Sequence, residues 1–146
     1  MRKGQRLINR IRCQLDPGAY LPERAHDWDA GADLRTPVAL TIHAGNSIVV
    51  DTGVHVEIPN GYVGMLKSKS GLNVNHCIVT EGVIDAGFTG SIKVHIYNHG
   101  THPMAFSPGD KITQIVIMPV ETPDFVQVDE ISGGDRGDDG YGSTGR

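Results

Sequence analysis

Hydrophobic residues in this chain fall in short runs that are separated by glycine, proline and polar residues. The clearest alternation of apolar and polar positions lies at 54–58, and the most hydrophobic run lies at 112–118. Alternation is typical of a strand with one buried face, and apolar segments spaced by about 8 to 12 residues are typical of a β-sandwich or barrel. The pattern therefore predicts an all-β fold, with at most a turn or two of helix near 71–75.

Turn-forming residues between the apolar runs set the limits of the predicted strands. These strands are 11–15, 30–36, 47–53, 54–58, 62–66, 77–80, 92–97, 112–118 and 125–128. The first is expected to be half-buried, because it alternates apolar and polar residues. A tight turn at 59–62 predicts that the strand at 62–66 returns beside the one at 54–58. The runs at 77–80 and 92–97 are predicted to be the arms of another hairpin.

The stretch between those two arms, residues 82–90, contains an acid in an unusual position. Asp85 ends an apolar triplet just before the chain turns, and Phe88 stands between two glycines. Burial raises the free energy of a carboxylate unless a hydrogen bond or a functional role offsets it. We therefore expect Asp85 to take part in chemistry rather than in packing.

Length and composition favour one domain with a tail. The chain has 146 residues, which suits a single core, and 19 glycines and 8 prolines, which suit many turns. From residue 132 onward, glycine and polar residues leave almost nothing to bury. We predict a β-barrel domain at 1–131, of which 1–10 is a basic, flexible arm, and a flexible glycine-rich tail at 132–146.

Charge and cysteine usage narrow the class of function. The net charge of −4 is unlike that of general nucleic-acid binders, which carry excess lysine and arginine. The basic arm could contact nucleic acid or a membrane, but a solvated terminus is the commoner case. No apolar run approaches the length of a membrane span, and no secretory signal is found. Cys13 and Cys77 lie in apolar surroundings, which predicts buried, reduced thiols and a cytoplasmic protein.

Three further stretches offer groups that bind phosphate or metal. Lys69, Ser70 and Gly71 combine an ammonium, a hydroxyl and an unobstructed backbone N–H. The tail places Arg136 among glycines, so that it could fold over a phosphorylated ligand. Asp33 could face a metal or a polyphosphate. Taken alone, the loop at Lys69 is more often a solvated turn and the tail more often a disordered linker, whereas Asp33 equally fits a turn residue.

Three histidines lie close together in sequence, at His95, His99 and His102. The first belongs to the polar face of a predicted strand, and the other two flank a turn. This spacing does not suit the tetrahedral geometry of a zinc site, so no zinc site is expected here.

Five stretches, taken together and in order, resemble the five motifs of the trimeric dUTP diphosphatase (dUTPase) family. They are residues 30–34, 68–72, 82–90, 109–114 and 136–145, and the resemblance spans nearly all of 11–145. Any one motif would be a weak signal, whereas five in the right order with the right gaps are specific. The resemblance implies a jelly-roll-like β-barrel that forms a homotrimer. The C-terminal tails would cross to neighbouring subunits, and each active site would be built from all three chains.

The family's activity is implied in the same way. Members hydrolyse dUTP to dUMP and pyrophosphate with Mg²⁺, by attack of water between the α- and β-phosphates. The reaction removes dUTP from the DNA precursors and supplies dUMP for dTMP synthesis. The implied partners are dUTP and other copies of this chain, without nucleic acid or membrane, and a regulatory protein partner is left open.

The resemblance also implies roles for individual residues. Asp85 would activate the attacking water, and Asp33 would reach magnesium through coordinated water while the triphosphate holds the metal. Phe88 would pack on the deoxyribose and exclude a 2′-hydroxyl, and Tyr141 would stack on the base. The remaining residues expected to bind substrate are Gly82, Val83, Ile84 and Lys93 at uracil, Lys69, Ser70, Gly71 and Gln114 at the phosphates, and Arg136, Gly142, Ser143, Thr144 and Gly145 in the tail.

Three positions depart from the usual pattern of the family. Lys69 stands where arginine is usual, which replaces a bidentate grip on phosphate by a point charge. Phe88 stands where tyrosine is usual, and it keeps the ring without the hydroxyl. Tyr141 stands where phenylalanine is commoner.

Two other functions fit parts of the chain. A dCTP deaminase shares the architecture but needs a base-activating glutamate and its own arginine–serine loop, and Glu81 lacks that surrounding pattern. A regulatory protein that switches with nucleotide would not need an acid at the position of Asp85. Regulation in addition to catalysis is left open.

Overall fold

Ten β-strands and one short α-helix are present in residues 8–140, the part of the chain that the computed structural model describes. In chain order they are β1 (Arg12–Leu15), β2 (Gly31–Arg35), β3 (Leu40–Ile42), β4 (Ser47–Asp51), β5 (Val54–Glu57), β6 (Tyr62–Lys67), α1 (Ser70–His76), β7 (Ile78–Ile84), β8 (Lys93–Asn98), β9 (Met104–Phe106) and β10 (Lys111–Pro119). None of the described helical residues forms a segment long and apolar enough to cross a membrane.

The strands form a curled antiparallel sheet that makes half of a barrel. Six strands lie in the order β2-β10-β6-β7-β8-β4, and two separate pairs are β1-β5 and β3-β9. Each of these pairings is antiparallel. The all-β, jelly-roll-like class predicted from the sequence is thereby confirmed, and the short helix lies where a helical turn is predicted.

One hydrophobic core fills the inside of the curl, because alternate residues of several strands, β7 and β8 among them, point toward it. On β8, Val94 and Ile96 are fully buried, whereas Tyr97 is exposed. Further fully or nearly fully buried side chains come from the other strands and their connections, namely Leu34, Ile42, Val54, Leu66, Ile78, Ile92 and Ile112.

The predicted strands coincide with β1, β2, β4 to β8 and β10, with bounds that differ by a few residues. The largest difference is at β7, which continues to Ile84. The sequence does not predict β3 and β9, because each has three residues and so carries no measurable alternation.

The predicted pairing of 54–58 with 62–66 is wrong. β5 pairs with β1, and β6 lies between β10 and β7 in the large sheet. The turn itself is present, since Gly61 has a φ of 84° and the N–H of Tyr62 donates to the carbonyl of Pro59 at 3.2 Å. Ile58 is buried directly after β5, so the chain crosses here from one sheet to another. Turn chemistry predicts a reversal of the chain, but it does not choose the strand's partner.

The strand predicted at 125–128 is also wrong. This segment has no strand pairing within residues 8–140, and Phe125, Val126 and Val128 are 99%, 78% and 58% exposed. An alternating segment becomes a strand only where a neighbouring edge supplies hydrogen bonds. Within residues 8–140, segment 125–128 pairs with none of the strand edges.

The prediction of buried cysteines is wrong as well. Cys13 and Cys77 are both exposed, as are all four residues of β1, which is therefore not half-buried. β1 pairs only with β5, so its other edge and its outer face have no covering element in the described chain. Cys77 follows α1 in a left-handed conformation with a φ of 54°.

The division into a domain at 1–131 and a tail at 132–146 stays a prediction. Residues 132–140 are exposed and contain only turn and coil. Residues 1–7 of the basic arm and residues 141–146 lie outside the described part of the chain.

Candidate functional site

A buried carboxylate held by two lysines lies at one end of the large sheet. Asp33 on β2 is only 4% exposed, and its two oxygens pair with the Nζ of Lys69 and, at 2.8 Å, with the Nζ of Lys111. Burial opposes the charged form of Asp33, but hydrogen bonds from Lys111 and Lys69 outweigh it and lower the pKa of that carboxyl. Asp33 is therefore ionised at neutral pH, and the trio carries one net positive charge.

Gln114 extends this group of residues. It lies on β10 directly opposite Asp33, and its Nε2 donates to the carbonyl of Ser68 at 3.0 Å. Gly31 makes room for it, because a Cβ at that position would lie only 2.8 Å from the Cδ of Gln114. We call these residues the lysine–aspartate cluster: Asp33, Lys69, Lys111 and Gln114.

Ser70 and Gly71 stand beside this cluster at the start of α1. Lys69 precedes the helix in an extended conformation with a ψ of 131°, which turns its side chain back toward Asp33. Ser70 and Gly71 are exposed, and a Cβ at Gly71 would meet nothing within 4 Å. This end of the sheet therefore offers ammonium, amide and hydroxyl groups to an anion.

A second candidate region lies where the β7–β8 ladder opens. The ladder ends at the pair Glu81–His95, whereas residues 82–84 pair only with β6 within the described chain. Their other edge, which faces β8, is unpaired among residues 8–140, so backbone N–H and C=O groups are available to the polar edge of a flat ligand. We call residues 82–84, together with Lys93 at the start of β8, the open hairpin.

Asp85 follows the open hairpin and is exposed. Its carbonyl accepts a hydrogen bond from the N–H of Phe88 at 3.1 Å, and Gly87 has a φ of 85°, so the chain reverses in a tight turn. The turn carries the carboxylate out of the core, and the burial that its place in the sequence suggests does not occur. Among residues 8–140 the side chain has no hydrogen-bond or ion-pair partner, which leaves its oxygens able to accept a proton.

Phe88 presents an aromatic ring beside Asp85. The side chain is 45% exposed, and it covers Gly90, where a Cβ would lie 2.8 Å from the ring's Cζ. Glycine at this position therefore lets the ring lie against the backbone of the loop.

Asp85, which follows the open hairpin, and Lys69 of the lysine–aspartate cluster lie at opposite ends of one strand pair. Ile84 is opposite Gly64 near the start of β6, and the strand then runs to Lys67 and on to Lys69. About six residues of extended chain, at about 3.3 Å each, separate the level of Asp85 from that of Lys69 by roughly 20 Å. A single chain therefore does not bring Asp85 to the cluster.

The predicted tail residues are only partly described. Arg136 lies in exposed chain, and its Nη2 donates to the carbonyl of Gly140 at 3.3 Å. Tyr141, Gly142, Ser143, Thr144 and Gly145 lie outside the described residues.

Sequence patterns did not single out two residues with long-range contacts. Lys111 pairs with Asp33. In the sequence it is visible only as a cationic residue directly after the turn at Asp110. Asp110 itself has a structural role, because its Oδ2 accepts a hydrogen bond from the N–H of Ser107 at 2.8 Å and so closes that turn. His55 occupies an ordinary alternating position on β5, and nothing in the sequence signals its bond to the carbonyl of Thr89.

The described residues contain no group of three or more histidine, cysteine, aspartate or glutamate side chains that could hold a metal. Asp33 is one suitable oxygen donor, and its carboxylate lies next to the partly exposed side chains of Lys69 and Lys111. A divalent cation at this cluster would therefore take most of its oxygen ligands from water and from a bound anion. This is a common arrangement for Mg²⁺.

Comparisons with known proteins agree with one another. A sequence model described as dUTPase matches residues 18–145. A deoxyuridine 5′-triphosphate nucleotidohydrolase of Mycolicibacterium gilvum is 45% identical over 141 residues, which covers 90% of this chain and 92% of that protein. The protein of that name from Corynebacterium efficiens is 42% identical over 144 residues, covering 95% of this chain and 80% of that protein.

Solved structures show the same architecture. The dUTPase of Staphylococcus bacteriophage 80alpha with dUpNHpp has a TM-score of 0.88 at 31% identity, covering 95% of this chain and all of that chain (100%). A mutant dUTPase of phage phi11 of S. aureus, described with a structural Mg(II) ion, has a TM-score of 0.78 at 30% identity. The match covers 86% of this chain and 100% of that chain. The family match at residues 18–145 includes both candidate regions.

Proposed function

The chain belongs to the dUTPase family and hydrolyses dUTP to dUMP and pyrophosphate, and we propose that Asp85 activates the attacking water in this reaction. The observation that carries the proposal is the exposed carboxylate at the end of the open hairpin. The triphosphate repels an anionic nucleophile, so water must be oriented and must lose its proton as the new P–O bond forms. A carboxylate without a competing partner suits that task.

Phosphate binding is assigned to the lysine–aspartate cluster with Ser70 and Gly71. The trio's net positive charge attracts a polyanion, and Lys69 is close enough to the surface to turn from Asp33 to a phosphate. Lys111 would meanwhile keep Asp33 ionised and in place. Gln114 would exchange the carbonyl of Ser68 for a phosphate oxygen, a change that keeps its amide hydrogen-bonded.

Magnesium is the proposed cofactor. Asp33 would hold it through coordinated water, because the described residues supply too few carboxylates to bind it alone. When bound, the ion neutralises charge on the phosphates. A structural Mg(II) ion is described for the phi11 protein.

Uracil binding is assigned to the open hairpin. Backbone groups of Gly82, Val83 and Ile84, which have no partner on the β8 side, can donate to and accept from the edge of uracil. Lys93 would contribute from the start of β8. Cytosine presents an amino donor where uracil presents a carbonyl acceptor, so it would leave a buried donor unpaired and bind more weakly.

Phe88 is assigned to the deoxyribose, and Gly90→Ala tests this role. The added Cβ would lie 2.8 Å from the ring, so the exposed ring has to move. The ratio of kcat/KM for dUTP over UTP should fall by about tenfold, the scale of a displaced steric contact, with little change in Tm. Gly133→Ala is the matched control, since its Cβ would meet nothing within 4 Å. An unchanged ratio in Gly90→Ala would mean that the ring does not screen the 2′ position.

A homotrimer with shared sites is proposed as the active form. The separation of roughly 20 Å between Asp85 and Lys69, six strand residues along the sheet, prevents one chain from building the site. The exposed apolar side chains of Phe125, Val126 and Val128 also call for a partner surface. In a cyclic trimer the open hairpin of one chain would meet the lysine–aspartate cluster of the next. The tail of the third would close the site with Arg136, Tyr141, Gly142, Ser143, Thr144 and Gly145.

The setting proposed for the enzyme is the cytoplasm, where deoxynucleotides are made. Hydrolysis there would keep dUTP out of DNA and supply dUMP for dTMP synthesis. The cysteines give no support for this location, because their predicted burial is wrong.

A substrate panel tests the proposed function. Purified protein is incubated with dUTP, dCTP, dTTP or UTP, with and without Mg²⁺, and the products are identified by chromatography. We expect dUMP and pyrophosphate from dUTP, much slower turnover of the other three, and strong stimulation by Mg²⁺. Deamination of dCTP or equal turnover of all four would contradict the assignment of the open hairpin, and turnover unaffected by chelation would contradict the role of Mg²⁺.

A further inference from the structure

Residues that follow Phe88 in its loop make several hydrogen bonds to the end of β4, the start of β5 and the residues between them. The N–H of Ile92 donates to the carbonyl of Val54 at 2.9 Å, and the N–H of Thr52 donates to the carbonyl of Ile92 at 3.0 Å. The hydroxyl of Ser91 donates to the carboxylate of Asp51. The end of the loop is thus held by backbone and side-chain bonds, whereas Phe88 itself lies on a more exposed stretch.

His55 supplies a side-chain hydrogen bond to Thr89, the residue directly after Phe88. Its Nδ1 lies 2.7 Å from the carbonyl oxygen of Thr89, and its Nε2 lies 3.2 Å from Oδ1 of Asp16. The side chain is partly buried, with 23% of its surface exposed. Thr89 joins Phe88 to Gly90, so the imidazole holds the peptide segment against which the aromatic ring lies.

Both partners of this imidazole are acceptors only. A backbone carbonyl and a carboxylate have no proton to give, so both ring nitrogens must donate for both bonds to form. Neutral imidazole has one N–H, whereas imidazolium has two. The geometry around His55 therefore fits the protonated ring.

We propose that His55 is a positioning residue for sugar discrimination, which holds the carbonyl of Thr89 and thereby keeps the Phe88 ring where it excludes a 2′-hydroxyl. The inference rests on the role proposed for Phe88. In this proposal His55 does not contact the substrate. The residue acts through the loop, so its loss should change the choice between dUTP and UTP more than the rate of the chemical step.

Charged groups around His55 make its hold on the Thr89 carbonyl dependent on pH. The carbonyl of Thr89 and the carboxylate of Asp16 raise the pKa of His55 above its ordinary value of 6.5, and Asp51 on β4 acts in the same direction. Lys93 on β8 lies near Asp51 and offsets part of its charge. Because the folded pKa is raised, both bonds are present below the ordinary pKa. As pH rises through the raised value, the ring keeps a single N–H that cannot serve both acceptors, so the support of the Thr89 carbonyl weakens.

His55→Leu tests the proposal in the full-length protein. The ratio of kcat/KM for dUTP over UTP should fall by about 3- to 10-fold, which corresponds to one hydrogen bond. His95→Leu is the matched control, because His95 is also partly buried and bonds to two partners, Ser47 and Tyr97, outside this loop. Its ratio should stay at the wild-type value.

The pH profile of the same ratio separates positioning from a general structural role. Ionisations that affect both substrates cancel in the ratio. Between about pH 6 and pH 9, the wild-type ratio should fall as His55 loses its proton, and the His55→Leu ratio should be low and flat. Asp16→Asn, which keeps the shape of the side chain, should move the wild-type fall to lower pH. An NMR titration of the His55 ring should show the same shift.

Three outcomes have different meanings. If Phe88→Ala leaves the dUTP/UTP ratio unchanged, the sugar role of Phe88 fails, and the role of His55 fails with it. If Phe88→Ala lowers the ratio but His55→Leu matches the wild type at every pH, the inference about His55 alone is overturned. If His55→Leu does not fold, Asp16→Asn decides: an unshifted pH profile would overturn the inference.

Discussion

Asp85→Asn is expected to lower kcat by at least about 10²-fold, the usual scale for loss of a general base, while nucleotide binding is kept. Asparagine has the same shape but cannot take a proton from water. Asp85 is exposed and has no partner among residues 8–140, so its replacement should leave the fold unchanged. Steady-state kinetics with dUTP measure kcat, and calorimetric titration with dUpNHpp measures binding.

Glu81→Gln is the matched control for this substitution. Glu81 is also an exposed acid on the hairpin, and its Oε1 pairs with the Nζ of Lys67 at 2.9 Å. An exposed ion pair contributes little to stability, so this variant should keep nearly wild-type kcat. The control also tests the deaminase alternative, in which a glutamate would be essential. Near-normal turnover of Asp85→Asn would remove Asp85 from the catalytic role.

Two inactive variants are expected to restore activity to each other. Asp85→Asn lacks the base at the open hairpin, and Lys69→Met lacks the ammonium of the lysine–aspartate cluster. If each site joins the hairpin of one chain to the cluster of the next, a trimer that contains both variants has one intact site. Mixed trimers isolated with two affinity tags should therefore show about one third of the wild-type activity, as expected for a three-chain ring.

The control for this complementation puts both substitutions in one chain. The double variant, with Asp85→Asn and Lys69→Met in the same chain, is assembled into mixed trimers with the single variant Asp85→Asn. Every chain then lacks Asp85, so no arrangement contains an intact site, and this mixture should stay inactive. Tagged wild-type trimers carried through the same purification set the reference. If the mixture of single variants is no more active than its parents, Asp85 and Lys69 do not act in a site shared between two chains.

Local pattern was enough to locate most of the strands. The alternation at β5 and the apolar run at β10 are visible in the sequence, because each side chain's direction depends on its neighbours along the chain. Pairing was not predictable in the same way. β5 joins β1 instead of β6, and the segment at 125–128 finds no partner in residues 8–140, since pairing depends on edges that distant parts of the chain provide.

The sequence by itself determined the fold class and named most of the candidate residues, since five motifs in order imply the dUTPase family, but it did not single out Lys111 or His55. The tertiary structure alone decided how those residues are arranged. It buries Asp33 between Lys69 and Lys111, exposes Asp85, and connects His55 to the carbonyl of Thr89. The physical reason is that ion pairs and hydrogen bonds act over a few ångströms in space, and the curl of the sheet brings together residues that are far apart in sequence. The same curl keeps Asp85 and Lys69 at opposite ends of one strand pair, and for that reason we assign the complete site to an assembly of chains.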